Sequence, residues 1–419
     1  MSVLSELRMK PSDKIGWGWD ASVKSRLVLA AMVISTLLIG ANLATPIYPI
    51  LQSTIGITPL EVTVAFSAYV VSLVVGLLLV GHWSDHVGRR AALVLAVVIG
   101  FAGAGVFGAA TSLPMLVLGR CLQGAAVALA TGASSAALRD LLPHRPDWAS
   151  RFTLLASAGG VAAGPVIGGL LSLLPDPSRT PFAIYSVVLL ILLIPLLTLK
   201  ARPAIRTADP ASPLRALKPR RPAVSRAAGR AFWNASAVGF LSFAVFGFTL
   251  SLAPTYFASL ADTSSRPLIG ILAALVLASS ALSQLMRVRG RHVVGLGLAA
   301  LGVGVALIPV AGAVDSVPLL VVACVIAGAG QGVAFRMVFN EVSLRVEPTH
   351  HAQIISTLYV LTYLGSSLPV VGLGAASQAW GLDRSVAGFA GLIALASLVL
   401  AVRSLRSTLR RDSGVVATG

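Results

Sequence analysis

Apolar residues run along this chain in about twelve blocks, each near the ~20 residues that a helix needs to cross a hydrocarbon layer. The pattern predicts helices at 27 to 47, 62 to 81, 91 to 110, 113 to 137, 152 to 173, 182 to 199, 232 to 254, 268 to 286, 293 to 313, 317 to 339, 353 to 374 and 385 to 402. Polar breakers such as Leu174-Pro175-Asp176-Pro177 and the stretch from Asp262 to Pro267 punctuate them. The eighth block is short and Ser-rich, and Thr111-Ser112 is almost the whole turn between the third and fourth. The fold class that follows is an all-α polytopic membrane protein with twelve transmembrane helices.

Composition agrees. Only 11% of the residues are charged and 56% are hydrophobic, with a mean hydropathy of +0.88. A soluble domain carries about 25% charged residues, so the bilayer must cover much of this surface. The net charge of +17 then reads as topology. With the N-terminus inside, 27 Lys and Arg fall in the termini and inner loops, 3 in outer loops (Arg179, Arg266, Arg384) and 2 within helices (Arg120, Arg336). That asymmetry predicts a multi-pass cell-membrane protein with both termini cytoplasmic and no nucleic-acid partner. A basic segment at 1–26 has no apolar core, so the first helix serves as the targeting signal. Two six-helix halves at 27–199 and 231–402 follow, joined by a basic, Pro-rich linker at 200–230 and ended by a tail at 403–419. Topology is the first role of the linker's charge, with a separate binding role as the alternative. Cys121 and Cys324 lie inside apolar runs and read as small core residues. His82 and His86 are spaced for one helix face but lack a third acidic or sulfur ligand, so no metal site is expected.

The halves repeat. Gln123-Gly124 matches Gln331-Gly332 at an offset of 208, Pro165 to Gly168 matches Pro369 to Gly372 at 204, and Gly88-Arg89-Arg90 matches Gly290-Arg291-His292 at 202. Three matches near one spacing indicate a duplicated unit, an arrangement used by transporters.

Between the second and third blocks the chain reads Gly81-His82-Trp83-Ser84-Asp85-His86-Val87-Gly88-Arg89-Arg90-Ala91-Ala92-Leu93. This resembles the major facilitator superfamily signature G-x-L-[AS]-D-[RK]-x-G-R-[RK]-x-x-[LI], with Trp83 in place of Leu and His86 in place of Arg or Lys. The resemblance implies a conformational latch on the cytoplasmic side built from Gly81, Asp85, Gly88, Arg89 and Arg90. In the second half Arg287 stands where the Asp would be, leaving Gly290 and Arg291. The fourth block holds Arg120-Cys121-Leu122-Gln123-Gly124, similar to the family's R-x-x-Q-G. Arginine within a spanning segment is costly and by default functional. The resemblance makes Arg120 a proton-coupling residue, and the alternatives are snorkelling to the outer interface or pinning the first helix through a carbonyl. The fifth block fits G-x-x-x-G-P-x-x-G-G without departure at Gly160, Gly164, Pro165, Gly168 and Gly169, a motif of the family's twelve-helix drug:proton antiporter branch. Ala44-Thr45-Pro46-Ile47-Tyr48-Pro49-Ile50-Leu51 is similar to the Pro-rich end of the first helix in those exporters.

The implied activity is proton-coupled export of small amphiphilic compounds by alternating access about a midplane cavity, with the proton gradient as energy source and no cofactor. The implied partners are a small-molecule substrate, protons and membrane lipid, and a monomer is usual in such a family. No Walker-type phosphate loop and no cluster of nucleophile, base and acid presents itself, so an enzyme is not expected. A proton symporter or facilitator that imports a metabolite is the alternative, and a non-transporting scaffold or sensor would need neither Arg120 nor Pro165. Candidate cavity residues are Asn42, Gln123, Phe240, Phe243, Gln331 and Arg336, the two phenylalanines belonging to a series at helical spacing in the seventh block. None of the 15 acidic residues lies near the middle of a block. Glu61, Asp85 and Glu341 are therefore the candidate proton carriers beside Arg120, and neutral or weakly anionic substrates are expected over permanent dications.

Overall fold

A computed structural model describes residues 3–7, 18–81, 83–200, 229–286, 288, 290–346 and 351–416. Residues 201–228, the bulk of the linker predicted at 200–230, lie outside the described residues, as do His82 and Arg287. Among the described residues, sixteen α-helices and one 3-10 turn account for the regular structure, with one isolated bridge between Trp19 and Leu199.

The helices are α1 (Val3–Leu7), α2 (Val23–Asn42), α3 (Tyr48–Ile55), α4 (Pro59–Val80), α5 (Ser84–Val87), α6 (Arg89–Gly108), α7 (Leu113–Leu141), α8 (Pro146–Leu171) and α9 (Thr180–Thr198). They continue as α10 (Gly229–Ser251), α11 (Ala253–Leu260), α12 (Arg266–Leu285), α13 (Val293–Ala313), α14 (Val317–Arg345), α15 (His351–Trp380) and α16 (Leu382–Val416). Prolines open many of them: Pro114, Pro146, Pro181, Pro267 and Pro318 stand in first turns, where a missing N–H removes no helical bond.

Among the described residues, twelve helical spans are long and apolar enough to cross a membrane, one for each predicted block. Two blocks break inside. The first runs as α2, a 3-10 turn at Thr45–Ile47, then α3, because Pro46 has no N–H to offer the Asn42 carbonyl. The seventh breaks in the same way between α10 and α11, where Pro254 follows Ala253. Pro46 and Pro254 are 208 positions apart, the offset of the two Gln-Gly pairs. The last helix continues well past the predicted end at 402, to Val416.

Two compact units form. Unit 1 comprises 1–51 and 68–221, and unit 2 comprises 52–67 and 222–419. In unit 1, α2 packs on α7 and α8, and α6 on α7 and α9. Unit 2 repeats the scheme: α10 packs on α15 and α14, and α13 on α14 and α16. The longest helices of the spanning set include the equivalent pair α7 and α14, each of 29 residues. Apolar side chains such as Val28, Ile191, Ile194, Leu392 and Leu395 are exposed on the outside, where lipid rather than water would meet them.

Candidate functional site

The turn between α4 and α6 is shaped by Gly88, whose φ of 93° and ψ of 148° place it where an L side chain is strained. Its counterpart in the repeat, Gly290, also has a positive φ, 144°. Past Gly88 the two arginines diverge. Arg89 binds the carboxylate of Asp85, four residues back across the Gly88 turn, the Ser84 hydroxyl at 2.7 Å and the Asp140 carboxylate at 3.0 Å. It thereby clamps the short α5 to the last turn of α7. Arg90 turns inward: it pairs with Glu6 of α1 and donates to the Leu199 carbonyl at the end of α9. Gly81 lies directly against Gly132 of α7, whose missing side chain leaves room for the Gly81 carbonyl.

Leu199 is held on its other side as well. Trp19 N–H donates to Thr198 O at 2.7 Å, Lys200 N–H donates to Trp19 O at 2.9 Å, and the Arg26 guanidinium donates to Lys200 O at 2.9 Å. The segment before α2 and the end of α9 thus form one knot around Arg90.

Arg120 lies deep in unit 1, with 1% of its surface exposed. Its Nη1 donates to the Ala41 carbonyl and to Gln123 Oε1 at 3.0 Å, and its Nη2 donates to the Tyr48 hydroxyl at 2.7 Å. Tyr69 and Phe107 offer ring faces 5.3 and 5.7 Å from the guanidinium carbon. Physically this is a C-terminal cap. The last carbonyls of α2 lose helical partners where Pro46 ends the helix, and a cation at that negative pole is favoured. By holding Ala41 on one side of the break and Tyr48 on the other, Arg120 pins both pieces of the first span. Of the alternatives open in the sequence, the carbonyl pin is the geometry observed.

On α8, Gly160, Gly164 and Gly168 form a stripe against the end of α2. A methyl group added at Gly160 would lie 2.7 Å from Ser35 O, and one at Gly164 would lie 2.5 Å from Asn42 Cβ and 2.9 Å from Ile39 O. Gly168 abuts the Leu43 backbone, and Gly169 is buried. Pro165 sits inside the helix, within this contact. The helices approach backbone to backbone beside the Asn42–Pro46 break that Arg120 holds. Asn42 itself is buried and donates to Leu38 O at 2.8 Å, closing its own helix.

In unit 2, Gln331 is buried and accepts from the Ser280 hydroxyl, which in turn accepts from Gln284 Nε2 at 3.2 Å. Gln123 and Gln331 share a peculiarity: the Nε2 of each is buried without a hydrogen-bond partner among the described residues. Arg336 donates to the Gln284 carbonyl at 2.8 Å and to that of Met286, capping α12 as Arg120 caps α2. Glu341 pairs with Arg345 at 2.7 Å. Glu61 forms a reciprocal cap at the start of α4, its carboxylate accepting from Thr58 N–H at 2.7 Å while Thr58 Oγ accepts from Glu61 N–H at 3.3 Å. Phe243 contacts Phe246, Phe335 and Tyr363, whereas Phe240 lies half-buried on the same helix.

Several participants were not singled out by sequence. Tyr48 stands in the Pro-rich stretch that attracted notice for its prolines. Tyr69, Phe107, Glu6 and Asp140 had no local signal, since each acts on a partner distant in sequence.

The family comparison follows this geometry. A sequence profile of the Major Facilitator Superfamily matches residues 30–369. The chain belongs to this superfamily. Superfamily members are transporters rather than enzymes, so a small-molecule substrate follows. Among curated proteins, the chain is 32% identical over 154 residues to the class E tetracycline resistance protein of Escherichia coli, covering 35% of this chain and 37% of that one. It is 31% identical over 182 residues to the uncharacterized MFS-type transporter YdgK of Bacillus subtilis (strain 168), covering 41% and 45%. It is 27% identical over 152 residues to the putative multidrug resistance protein MdtD of Klebsiella pneumoniae, covering 36% and 32%. The matches thus span less than half the length of these relatives. Among solved structures, a POT family transporter in complex with 5-aminolevulinic acid superposes with a TM-score of 0.73 at 14% identity, covering 91% of this chain and 96% of that one. A bacterial homologue of the human lysosomal transporter Spinster, inward-facing and unoccupied, gives 0.70 at 16% identity, with 91% and 95% covered. At such identities the likeness establishes the major facilitator fold alone.

Proposed function

We propose that this facilitator is a proton-coupled exporter of small amphiphilic compounds, of the twelve-helix drug:proton antiporter branch. The observation that carries the reading is the intact Gly160 to Gly169 motif, packed backbone to backbone against α2 beside the break pinned by Arg120. Tight packing at a proline-kinked helix resists a leak while the halves rock. The tetracycline and multidrug resistance proteins among the relatives lend further support.

In this reading Gly81, Asp85, Gly88, Arg89 and Arg90 form the latch, and Arg120 is the coupling residue. Asn42, Gln123, Phe240, Phe243, Gln331 and Arg336 serve the substrate cavity. Asp85, Glu61 and Glu341 are the acids to test as proton carriers, and the preferred substrates are neutral or weakly anionic. Both termini face the cytoplasm, as the distribution of basic residues indicates, with 1–26, the 200–230 linker and the 403–419 tail on that side and the halves at 27–199 and 231–402 between them. The protein works as a monomer.

The test is transport in everted vesicles with an imposed pH gradient. An antiporter accumulates a neutral antibiotic, or the zwitterion tetracycline, when the vesicle interior is acid, and releases it when the gradient is collapsed. Accumulation driven by the opposite gradient would replace export by symport.

A further inference from the structure

The aromatic side chains of unit 2 differ in burial. Phe232, Phe248, Tyr256 and Phe257 are buried to 3% exposure or less. A second set remains half-buried: Phe243 of α10, Phe335 and Phe339 of α14, and Tyr359 and Tyr363 of α15. These five rings close a circuit. Phe243 lies 5.7 Å from Phe335, Phe335 5.8 Å from Phe339, Phe339 5.6 Å from Tyr359, Tyr359 6.2 Å from Tyr363, and Tyr363 5.1 Å from Phe243, the last pair edge to face. Each spacing is that of an attractive aromatic pair.

The large apolar side chains exposed on the same unit are mostly aliphatic, with Leu296, Val303, Val322, Leu368, Leu392 and Leu395 as examples and Trp233 and Trp380 as isolated aromatic exceptions. A half-open ring cluster drawn from three helices departs from that composition. Two polar groups accompany it. The Thr362 hydroxyl is fully buried and has no hydrogen-bond partner among the described residues. It meets α10 at Gly239, where an added methyl group would also lie 3.3 Å from the Phe335 ring. Gln331, with its unpaired Nε2, stands one turn before Phe335 on α14. Unpaired buried donors are costly, and a ligand with an accepting oxygen would satisfy them. Helices α10 and α15 contain no acidic residue, and Glu341 of α14 is tied to Arg345. Ring faces alone would still attract a cation, but with no carboxylate to replace its hydration and with hydrogen-bond donors at Thr362 and Gln331 beside the rings, a neutral guest with an accepting oxygen is favoured.

We propose that this five-ring wall is the specificity-determining surface for cargo, and that it selects uncharged planar aromatic compounds bearing a carbonyl oxygen. The proposal rests on the reading of the chain as a transporter of small amphiphiles, but needs neither a proton gradient nor a direction of transport. Ring-on-ring pairs contribute beyond the area they bury, so two of them favour an aromatic guest over its saturated counterpart by about ten-fold.

The experiment is equilibrium binding to the full chain in nanodiscs, corrected for uptake by empty nanodiscs, with three probes. These are 7-methoxycoumarin, its ring-saturated octahydro analogue, and 2-methoxynaphthalene, which keeps the two flat rings but lacks the lactone carbonyl. Wild type is expected to bind methoxycoumarin about ten-fold more tightly than the saturated analogue. Phe335→Leu and Tyr363→Leu should abolish that preference while each protein keeps a melting temperature near wild type. Thr362→Val should weaken methoxycoumarin and leave methoxynaphthalene unchanged. Equal binding of flat and saturated probes by wild type, absence of saturable methoxycoumarin binding, or a preference that survives both ring substitutions would overturn the proposal. Intact, ring-dependent binding without gradient-driven transport would instead count against the exporter reading alone.

Discussion

Glu6 and Arg90, 84 residues apart in sequence, form an ion pair in which each side chain is less than a tenth exposed. Burial pushes the Glu6 carboxyl above its ordinary value, and Arg90 offsets this only in part. Removing one member of such a pair leaves an uncompensated buried charge, a loss of about 3–5 kcal/mol where the pair is fully enclosed. Glu6→Gln and Arg90→Leu are each expected to lower the melting temperature of the detergent-solubilised protein. They should also speed hydrogen exchange at 84–92 and at Leu199. The exchanged pair, Glu6→Arg with Arg90→Glu, should recover part of the loss. Unchanged exchange in both single variants would show that α1 docks without help from the pair.

Transport is expected to fail, with folding retained, in Asp85→Asn and Gly81→Leu. Asp85 supplies one of two carboxylates that share Arg89, and a side chain at Gly81 would meet the Leu77 carbonyl at 2.5 Å. A contact needed in one state of a two-state cycle shifts the balance by its full strength, and a few kcal/mol strands most molecules in the other state. Wild-type efflux at wild-type expression would remove these residues from the latch.

Arg120→Ala should abolish gradient-driven efflux, and Arg120→Lys should restore little of it. The guanidinium reaches Ala41, Gln123 and Tyr48 together through two nitrogens, a fork that a single ammonium does not reproduce. Tyr48→Phe, which removes one of these bonds, should give an intermediate efflux rate and a stability loss of about 1.5–3 kcal/mol. Normal pumping against a gradient by Arg120→Ala would reduce the residue to a helix cap.

Gly164→Leu should force α8 away from Asn42 and either destabilise unit 1 or uncouple proton flow from efflux, whereas Pro165→Ala should leave the packing intact and alter only coupling. The readout is proton leak into sealed vesicles measured beside substrate efflux. Equal leak and equal efflux in wild type and Pro165→Ala would separate the kink from coupling.

Orientation is tested by single cysteines at 215 and 263 in a chain with Cys121 and Cys324 replaced. An impermeant thiol reagent added to intact cells should label position 263 alone. Labelling at 215 alone would invert the assignment of the termini.

The twelve spans were legible because a membrane leaves few options: backbone polar groups must be satisfied internally, so a long apolar run becomes a helix. The breaks after Asn42 and Ser251 were harder to see, since apolar residues continue through both and only Pro46 and Pro254 betray them. Arg120 was conspicuous as a charge in an apolar run, but its partners were not. Tyr48, Tyr69 and Phe107 are ordinary apolar-block residues until folding brings them around the guanidinium. Glu6 illustrates the opposite limit: in a basic N-terminal stretch it resembles any solvated acid, and only the contact with Arg90 marks it.

The matched length of α7 and α14 has a consequence for the membrane these helices require. At about 1.5 Å per residue, 29 residues extend about 44 Å, against about 30 Å of hydrocarbon. Each helix opens abruptly after a serine and a first-turn proline, and each ends in exposed polar residues that include Arg139 and Arg345. With the hydrocarbon beginning at the serine–proline ends, the surplus would project at the arginine end, as a stalk in each unit. A bilayer several ångströms thicker would draw in part of the stalk without submerging the arginines, so the protein should tolerate lipids over a wide range of acyl-chain lengths.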